Sequence, residues 1–228
     1  MIRWDAPGPY AVAFTTRAGG VSEGPFASLN LGGTEDRPEA VTENRRRACE
    51  ELGLDPARLA FNRQRHTAVV HRARSGFQGT PGDGLWTDEA GLPLLAMSAD
   101  CVPIAIAASS GRPALAVVHA GWRGLAAGVV EAALAALGTR AFAAVIGPAV
   151  GPCCYEVGIA VSERFDADLT KDGVLDLWAA AERALRRAGV ARVDRVDLCT
   201  RCHAELFFSH RRDGALRGVQ GVIGGVGG

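Results

Sequence analysis

Between Ser98 and Gly124 the chain reads SADCVPIAIAASSGRPALAVVHAGWRG, two short apolar runs split by Ser109, Ser110 and Gly111. Runs of Val, Ile, Leu and Ala bounded by a turn read as two buried strands, and they constrain the fold more than any other stretch. Cys101 heads the first run and His119 lies at the end of the second. Polar residues at strand ends are candidates for chemistry. Taken singly, each also reads as an ordinary core residue, the thiol as a small hydrophobe and the imidazole as a histidine with a satisfied partner.

The flanking sequence alternates elements irregularly. Ala11 to Thr15, Leu59 to Phe61, Ala68 to Val70, Ala143 to Ile146, Val193 to Leu198 and Val219 to Ile223 read as strands. Pro38 to Leu52, with Pro near its start and Gly53 after its end, reads as a helix, as do Leu125 to Leu137, a segment from Ile159, and Val174 to Ala188. Arg17 to Leu31 is a Gly/Ser loop long enough to line a site. Phe77 to Gly91 reads as loop around the turn Gly82-Asp83-Gly84, Gly147 to Gly158 as irregular, and Gly224 to Gly228 as a frayed end. This pattern predicts an α+β domain with mixed sheet flanked by helices.

With 228 residues and no linker-like segment, residues 1–228 are expected to form a single domain. Lys+Arg 25 against Asp+Glu 25 leaves no net field to attract nucleic acid or an anionic membrane, so a small molecule is the expected partner. Lys171 is the sole lysine, which reads as compositional bias toward arginine. No apolar signal core or spanning run is present, so the expectation is a cytoplasmic monomer whose six cysteines are thiols, ligands or nucleophiles.

Four constellations carry chemistry. His66, Cys101 and His119 are borderline-soft donors from three strand ends, a set that suits zinc and leaves a coordination position free. Alternatively Cys101 is a nucleophile with His119 or His66 as base, and Asp100 joins it only if the strand has ended there. The spacing does not separate the two. HAGWRG runs into a helix, so the Gly121 to Gly124 amides with Arg123 read either as a phosphate or carboxylate seat or as a tight strand-to-helix turn whose glycines serve packing. CTRCH at Cys199 to His203 has the form of a c-type haem attachment, but without an export signal it reads as coincidence. Cys153 and Cys154, being vicinal, read as poorly placed for joint metal binding, and with Cys49 they read as structural.

In order, the motifs FTTRAGGVSEGPFASLNLG, TENRRRACEELG, QRH, SADCVPIAI, VVHAGWRGLAAG, IGPAVGPCCYEVG and LCT followed by FFSHRRDG resemble the YfiH-type laccase-domain family, also called polyphenol oxidase-like. The resemblance runs from Phe14 to Gly214. It implies an α+β fold with mixed sheets, zinc on His66, Cys101 and His119, and Arg45 as an active-site cation. It further implies phosphorolysis of adenosine, inosine, guanosine and methylthioadenosine, with deamination of adenosine. Phosphate would sit on Arg45, Gly121, Arg123 and Gly124, and Asp100 would carry a proton or fix a histidine.

The same resemblance carries copper-dependent phenol oxidation and peptidoglycan-precursor editing as alternatives, and a Cys101 thiol hydrolase remains a third. Five histidines in all are too few for a multicopper oxidase, although a single copper could replace zinc. Arg65 and Thr67 flank His66 where the family has smaller residues. His210, and Leu216, Arg217 and Gly218, also depart from its pattern.

Overall fold

The computed structural model describes every residue except Thr34, Thr139, Arg140 and Gly228. Its strands are β1 (Ile2–Arg3), β2 (Tyr10–Phe14), β3 (Ala60–Arg63), β4 (Val70–Arg72), β5 (Gln78–Pro81), β6 (Gly84–Thr87), β7 (Leu94–Ser98), β8 (Val102–Ala108), β9 (Leu115–Ala120), β10 (Phe142–Ile146), β11 (Thr170–Lys171), β12 (Val174–Leu175), β13 (Arg192–Arg195) and β14 (Gln220–Val226). The α-helices are α1 (Pro38–Glu51), α2 (Trp122–Ala126), α3 (Val129–Leu137), α4 (Ile159–Ser162), α5 (Leu177–Arg187) and α6 (His210–Asp213). One six-stranded sheet has the order β1-β2-β14-β7-β3-β5 and a second β13-β10-β8-β9-β6-β4, with β11 and β12 a separate pair. Both large sheets are mixed: β3 runs parallel to β5 and β7, β4 to β6, and β10 to β13, while the other pairings are antiparallel.

The two sheets pack face to face with helices outside them. Phe14, Leu94 and Val222 of the first sheet meet Ala105, Leu115, Val117 and Val145 of the second. The opposite face of the second sheet, with Ile104, Ile106 and Val118, lies under Val130 and Leu134 of α3 and Leu185 of α5. The opposite face of the first, with Ala13, Leu95 and Ile223, is covered by Ala48 and Cys49 of α1. Successive strand residues point to opposite faces, so β8 and β9, covered on both, are apolar at every position except His119 near the end of β9. That is why their sequences form apolar runs. It is the expected α+β domain, arranged as helix, sheet, sheet, helix.

Several expectations are corrected. Phe77 to Gly91 is not a loop, because it carries β5 and β6, whose four residues each are masked in sequence by glycine and proline. The Leu125 to Leu137 helix is split at Gly128, whose left-handed backbone (φ 84°) separates α2 from α3. Val174 and Leu175 pair as β12, and α5 begins at Leu177 behind the Asp176 side chain, which accepts from Ala179 N at 2.9 Å. The expected fraying at Gly224 is absent, since β14 runs to Val226 between β2 and β7 and Gly227 bonds Pro9 O; Gly228 lies outside the described residues.

The loop from Arg17 to Leu31 is fastened rather than open. Asn44 of α1 is fully buried; it accepts from Val21 N at 2.8 Å and donates to Ser22 Oγ at 2.8 Å and Asn30 O at 2.9 Å. Asp36 accepts from Ser22 Oγ at 2.6 Å and Asn30 Nδ2 at 2.8 Å. These bonds hold the loop against α1, and it does not reach the cleft described next.

Candidate active site

Antiparallel pairing places Pro103 opposite His119 and Val102 opposite Ala120, so the start of β8 lies beside the end of β9. Cys101, just before β8, therefore meets His119. β7 ends at Ser98, and Asp100 turns the chain with a left-handed backbone (φ 89°) before β8 starts. The strand has thus ended at Asp100, and Asp100 and Cys101 both face one cleft. His66 arrives from the turn after β3, also with positive φ (60°). The donor atoms of His66, Cys101 and His119 all lie within 4.8 Å of one another. Cys101 Sγ is 3.8 Å from His66 Nε2, and the two imidazoles meet edge to face with centroids 4.9 Å apart.

A residue not singled out in the sequence organises this cluster. Asp83, buried in the turn before β6, lies with Oδ1 2.8 Å from His119 Nδ1 and accepts from His66 N at 2.9 Å, Thr67 N at 2.7 Å and Thr67 Oγ1 at 2.8 Å. These contacts brace the strained His66 backbone and direct the other ring nitrogen of His119 toward Cys101. Burial opposes charge on Asp83, but hydrogen bonds from His119 and Thr67 outweigh it and hold its carboxyl well below the usual range. Gln64 fixes the same turn to β7, donating to Met97 O at 2.6 Å and accepting from Met97 N at 2.8 Å. The only sequence signal for Asp83 was its place between two glycines.

The electrostatics favour a thiolate. Burial pushes the Cys101 thiol up, yet the imidazoles of His119 and His66 bring it down to about 6. For His119 burial disfavours charge, while Cys101 and Asp83 lift the ring to about 9. A thiolate paired with an imidazolium either attacks an electrophile or exchanges the shared proton for a metal ion. The donor set of one sulfur and two nitrogens, with an oriented second ring nitrogen, fits a borderline-soft divalent cation.

The cleft encloses about 1090 Å³, and its lining includes Phe61, Trp122, Tyr155, Arg211 and Arg217. Arg217, in a segment that departs from the family pattern, has a buried Nε with no protein partner. Arg211 stacks 4.7 Å from the Tyr155 ring centroid and Arg123 4.2 Å from that of Trp122. Arg123 lines the cleft, but Arg45 does not: it donates to Leu31 O at 2.7 Å and stacks 4.1 Å from the centroid of Phe61. Burial lowers Arg45 to about 10, which leaves it a cation at neutral pH.

One expected role falls to another residue. The histidine-fixing carboxylate is Asp83, since Asp100 accepts from Thr200 Oγ1 and from Arg211 N, each at 2.6 Å. The segment from Gly121 to Gly124 opens a helix of only five residues. A Cβ on Gly121 would lie 2.9 Å from both Cys101 Sγ and His66 Cδ2, and one on Gly124 would lie 3.2 Å from Thr67 O. Gly121 thus leaves room for two of the three donors, and Gly124 for the backbone of Thr67.

Cys153 and Cys154 also depart from expectation. Their sulfurs meet those of Cys199 and Cys202, all four within 4.8 Å of one another. Vicinal spacing gave no hint of this, because the two turns are remote in sequence and are brought together by the parallel bridge of Ala149 with Cys199. Among the described residues no helix is long and apolar enough to cross a membrane.

Residues 11–225 match the family described as multi-copper polyphenol oxidoreductase laccase. The chain is 39% identical to purine nucleoside phosphorylase YlmD of Geobacillus stearothermophilus, over 96% of this chain and 91% of the relative. It is 34% identical to purine nucleoside phosphorylase YfiH of Escherichia coli, over 92% of each. The crystal structure of YlmD from Geobacillus stearothermophilus superposes with a TM-score of 0.89 at 33% identity, covering 99% of this chain and 94% of that one. Neisseria meningitidis protein NMB0706 superposes at 0.87 with 34% identity, covering 99% and 97%.

Proposed function

The chain belongs to the multi-copper polyphenol oxidoreductase laccase family, and from that premise we propose that it is a metal-dependent purine nucleoside phosphorylase. The substrates are adenosine, inosine, guanosine and methylthioadenosine, with deamination of adenosine as a second activity. The observation that carries the reading is the convergence of His66, Cys101 and His119 on one wall of an aromatic, arginine-lined cleft. It is supported by relatives named purine nucleoside phosphorylase.

In phosphorolysis a phosphate oxygen bonds to the anomeric carbon of ribose as the glycosidic bond breaks. The bonding pair leaves with the purine, which takes up a proton, and the sugar departs as its 1-phosphate. Phe61, Trp122 and Tyr155 supply flat apolar faces for the base. Arg211 and Arg217, with Arg123 at the side, supply guanidinium donors for phosphate. Arg45 acts through Phe61, fixing its ring from behind. Asp100 holds Thr200 and the Arg211 backbone in place, and with both oxygens so engaged it is a positioning residue. His66, Cys101 and His119 would hold zinc, with copper as the alternative ion, and the metal would act as a Lewis acid toward a substrate oxygen or water.

A multicopper oxidase fits this chain poorly. The candidate metal-binding groups among the described residues contain two histidines in total, His66 and His119. His71 lies 2.9 Å from Pro81 O and His203 pairs with Glu205 at 3.3 Å.

The test incubates protein of known metal content with adenosine and phosphate and follows adenine, ribose 1-phosphate and inosine by chromatography. All three products are expected from the wild-type protein and none from Cys101→Ala. Equal product from both, or none from either, overturns the reading.

A further inference from the structure

The four-cysteine cluster lies apart from the candidate active-site donors and is not used by the proposed reaction. Cys154 Sγ lies 3.4 Å from Cys202 Sγ and Cys153 Sγ 3.7 Å from it, and all four sulfurs fall within 4.8 Å of one another. A tetrahedral zinc with Zn–S bonds of about 2.3 Å has sulfur–sulfur edges of about 3.8 Å, so the spacing matches a four-thiolate cage. We propose that Cys153, Cys154, Cys199 and Cys202 bind a structural zinc ion that staples two turns together at the rim of the cleft.

The surroundings of Cys199 are an independent observation. Cys199 is buried and its sulfur receives the N–H of Gly151 at 3.3 Å. That N–H ties the turn of Cys153 and Cys154 to the sulfur of Cys199 and holds the two turns at ligand distance. Cys199 and Cys202 have the two-residue spacing of a metal-binding turn, which explains CTRCH without haem. Gly151 lets the partner turn close: a Cβ there would lie 2.6 Å from the Trp178 ring and 3.4 Å from Cys199 Cβ. Arg212 braces the other side, donating to Thr200 O at 2.9 Å, Arg201 O at 3.2 Å and Phe207 O at 2.8 Å. Cys153 and Cys202 are exposed, so the ion has a path in.

The staple has a purpose in the fold. The turn carrying Cys153 and Cys154 leads to Tyr155, and Thr200, between the other two cysteines, donates to Asp100 at 2.6 Å. Tyr155 and Asp100 both line the cleft. The proposal does not depend on which reaction that cleft performs.

The test removes the other site first. Cys101→Ala protein, purified under reducing conditions in zinc-containing medium without chelator, is analysed for metal by mass spectrometry. It is expected to retain one zinc per chain, and the same background carrying Cys153→Ser and Cys202→Ser is expected to retain none. If that double variant does not fold, the Cys101→Ala protein loaded with cobalt(II) decides, through intense thiolate-to-cobalt charge-transfer absorption and tetrahedral visible bands. Cys101→Ala protein that holds no zinc and gives no such spectrum overturns the proposal. So does a loss of two mass units under non-reducing conditions showing that the cysteines are joined as a disulfide.

Discussion

Asp83 Oδ1 stands 2.8 Å from Nδ1 of His119, and the same carboxylate accepts the backbone N–H of His66 at 2.9 Å. One buried acid thus orients two of three convergent donors that lie far apart in sequence. Asp83→Asn preserves shape but removes charge and turns an amide N–H toward donors. Outer carboxylates of this kind are worth about 10–100-fold in metal affinity. A loss of zinc affinity in that range is expected by chelator competition, with the fold retained by circular dichroism. Unchanged affinity would show that the turn holds His66 without Asp83.

The metal and thiol readings of Cys101 separate on demetallation. A chelator-treated protein is expected to lose phosphorolysis and regain it on adding zinc. His66→Ala is expected to lose both turnover and one equivalent of metal. Full activity in metal-free protein, abolished by alkylation of Cys101, would establish the nucleophile instead.

Arg217 brings a guanidinium with an unpartnered, buried Nε into the cleft. A hydrogen bond to a charged partner contributes about 1.5–3 kcal/mol, so Arg217→Met is expected to raise KM for phosphate by about tenfold or more. KM for the nucleoside should change little. An equal rise in both constants would assign Arg217 to the purine or to general packing.

How much of this was legible in sequence follows from the physics of each part. β8 and β9 were readable because strands covered on both faces form apolar runs, broken here only by His119 near the end of β9, and Pro38 and Gly53 bracket α1. β5 and β6 were not, since four-residue strands containing Gly79, Pro81 and Gly84 carry turn signals instead. His66 joined Cys101 and His119 through the motif order; its spacing along the chain held no such information. Asp83 and the cysteine quartet were hidden for the same reason: their partners come from remote turns, and only the sheet pairing brings those turns together.

Asn44 offers a check on the fold that is separate from the chemistry. Its side chain makes buried bonds to Val21, Ser22 and Asn30, and the loop it pins does not line the cleft. Asn44→Ala leaves several of those groups unsatisfied and is expected to destabilise the protein by about 2–3 kcal/mol in urea unfolding. KM for nucleoside should stay near wild type. A large rise in KM would mean that the loop contributes to binding.

Gly121 tests whether its role is space for the donors or an anion seat. Its backbone lies at φ −75° and ψ 169°, which any residue adopts, so Gly121→Ala introduces no backbone strain. The added Cβ falls 2.9 Å from Cys101 Sγ and from His66 Cδ2 and must push the two apart. Metal affinity is therefore expected to fall at least tenfold, with stability of the metal-free protein within about 1 kcal/mol of wild type. An anion seat predicts the opposite pattern, weaker phosphate binding with zinc retained, because a methyl group there would obstruct the oxyanion and leave the donors in place.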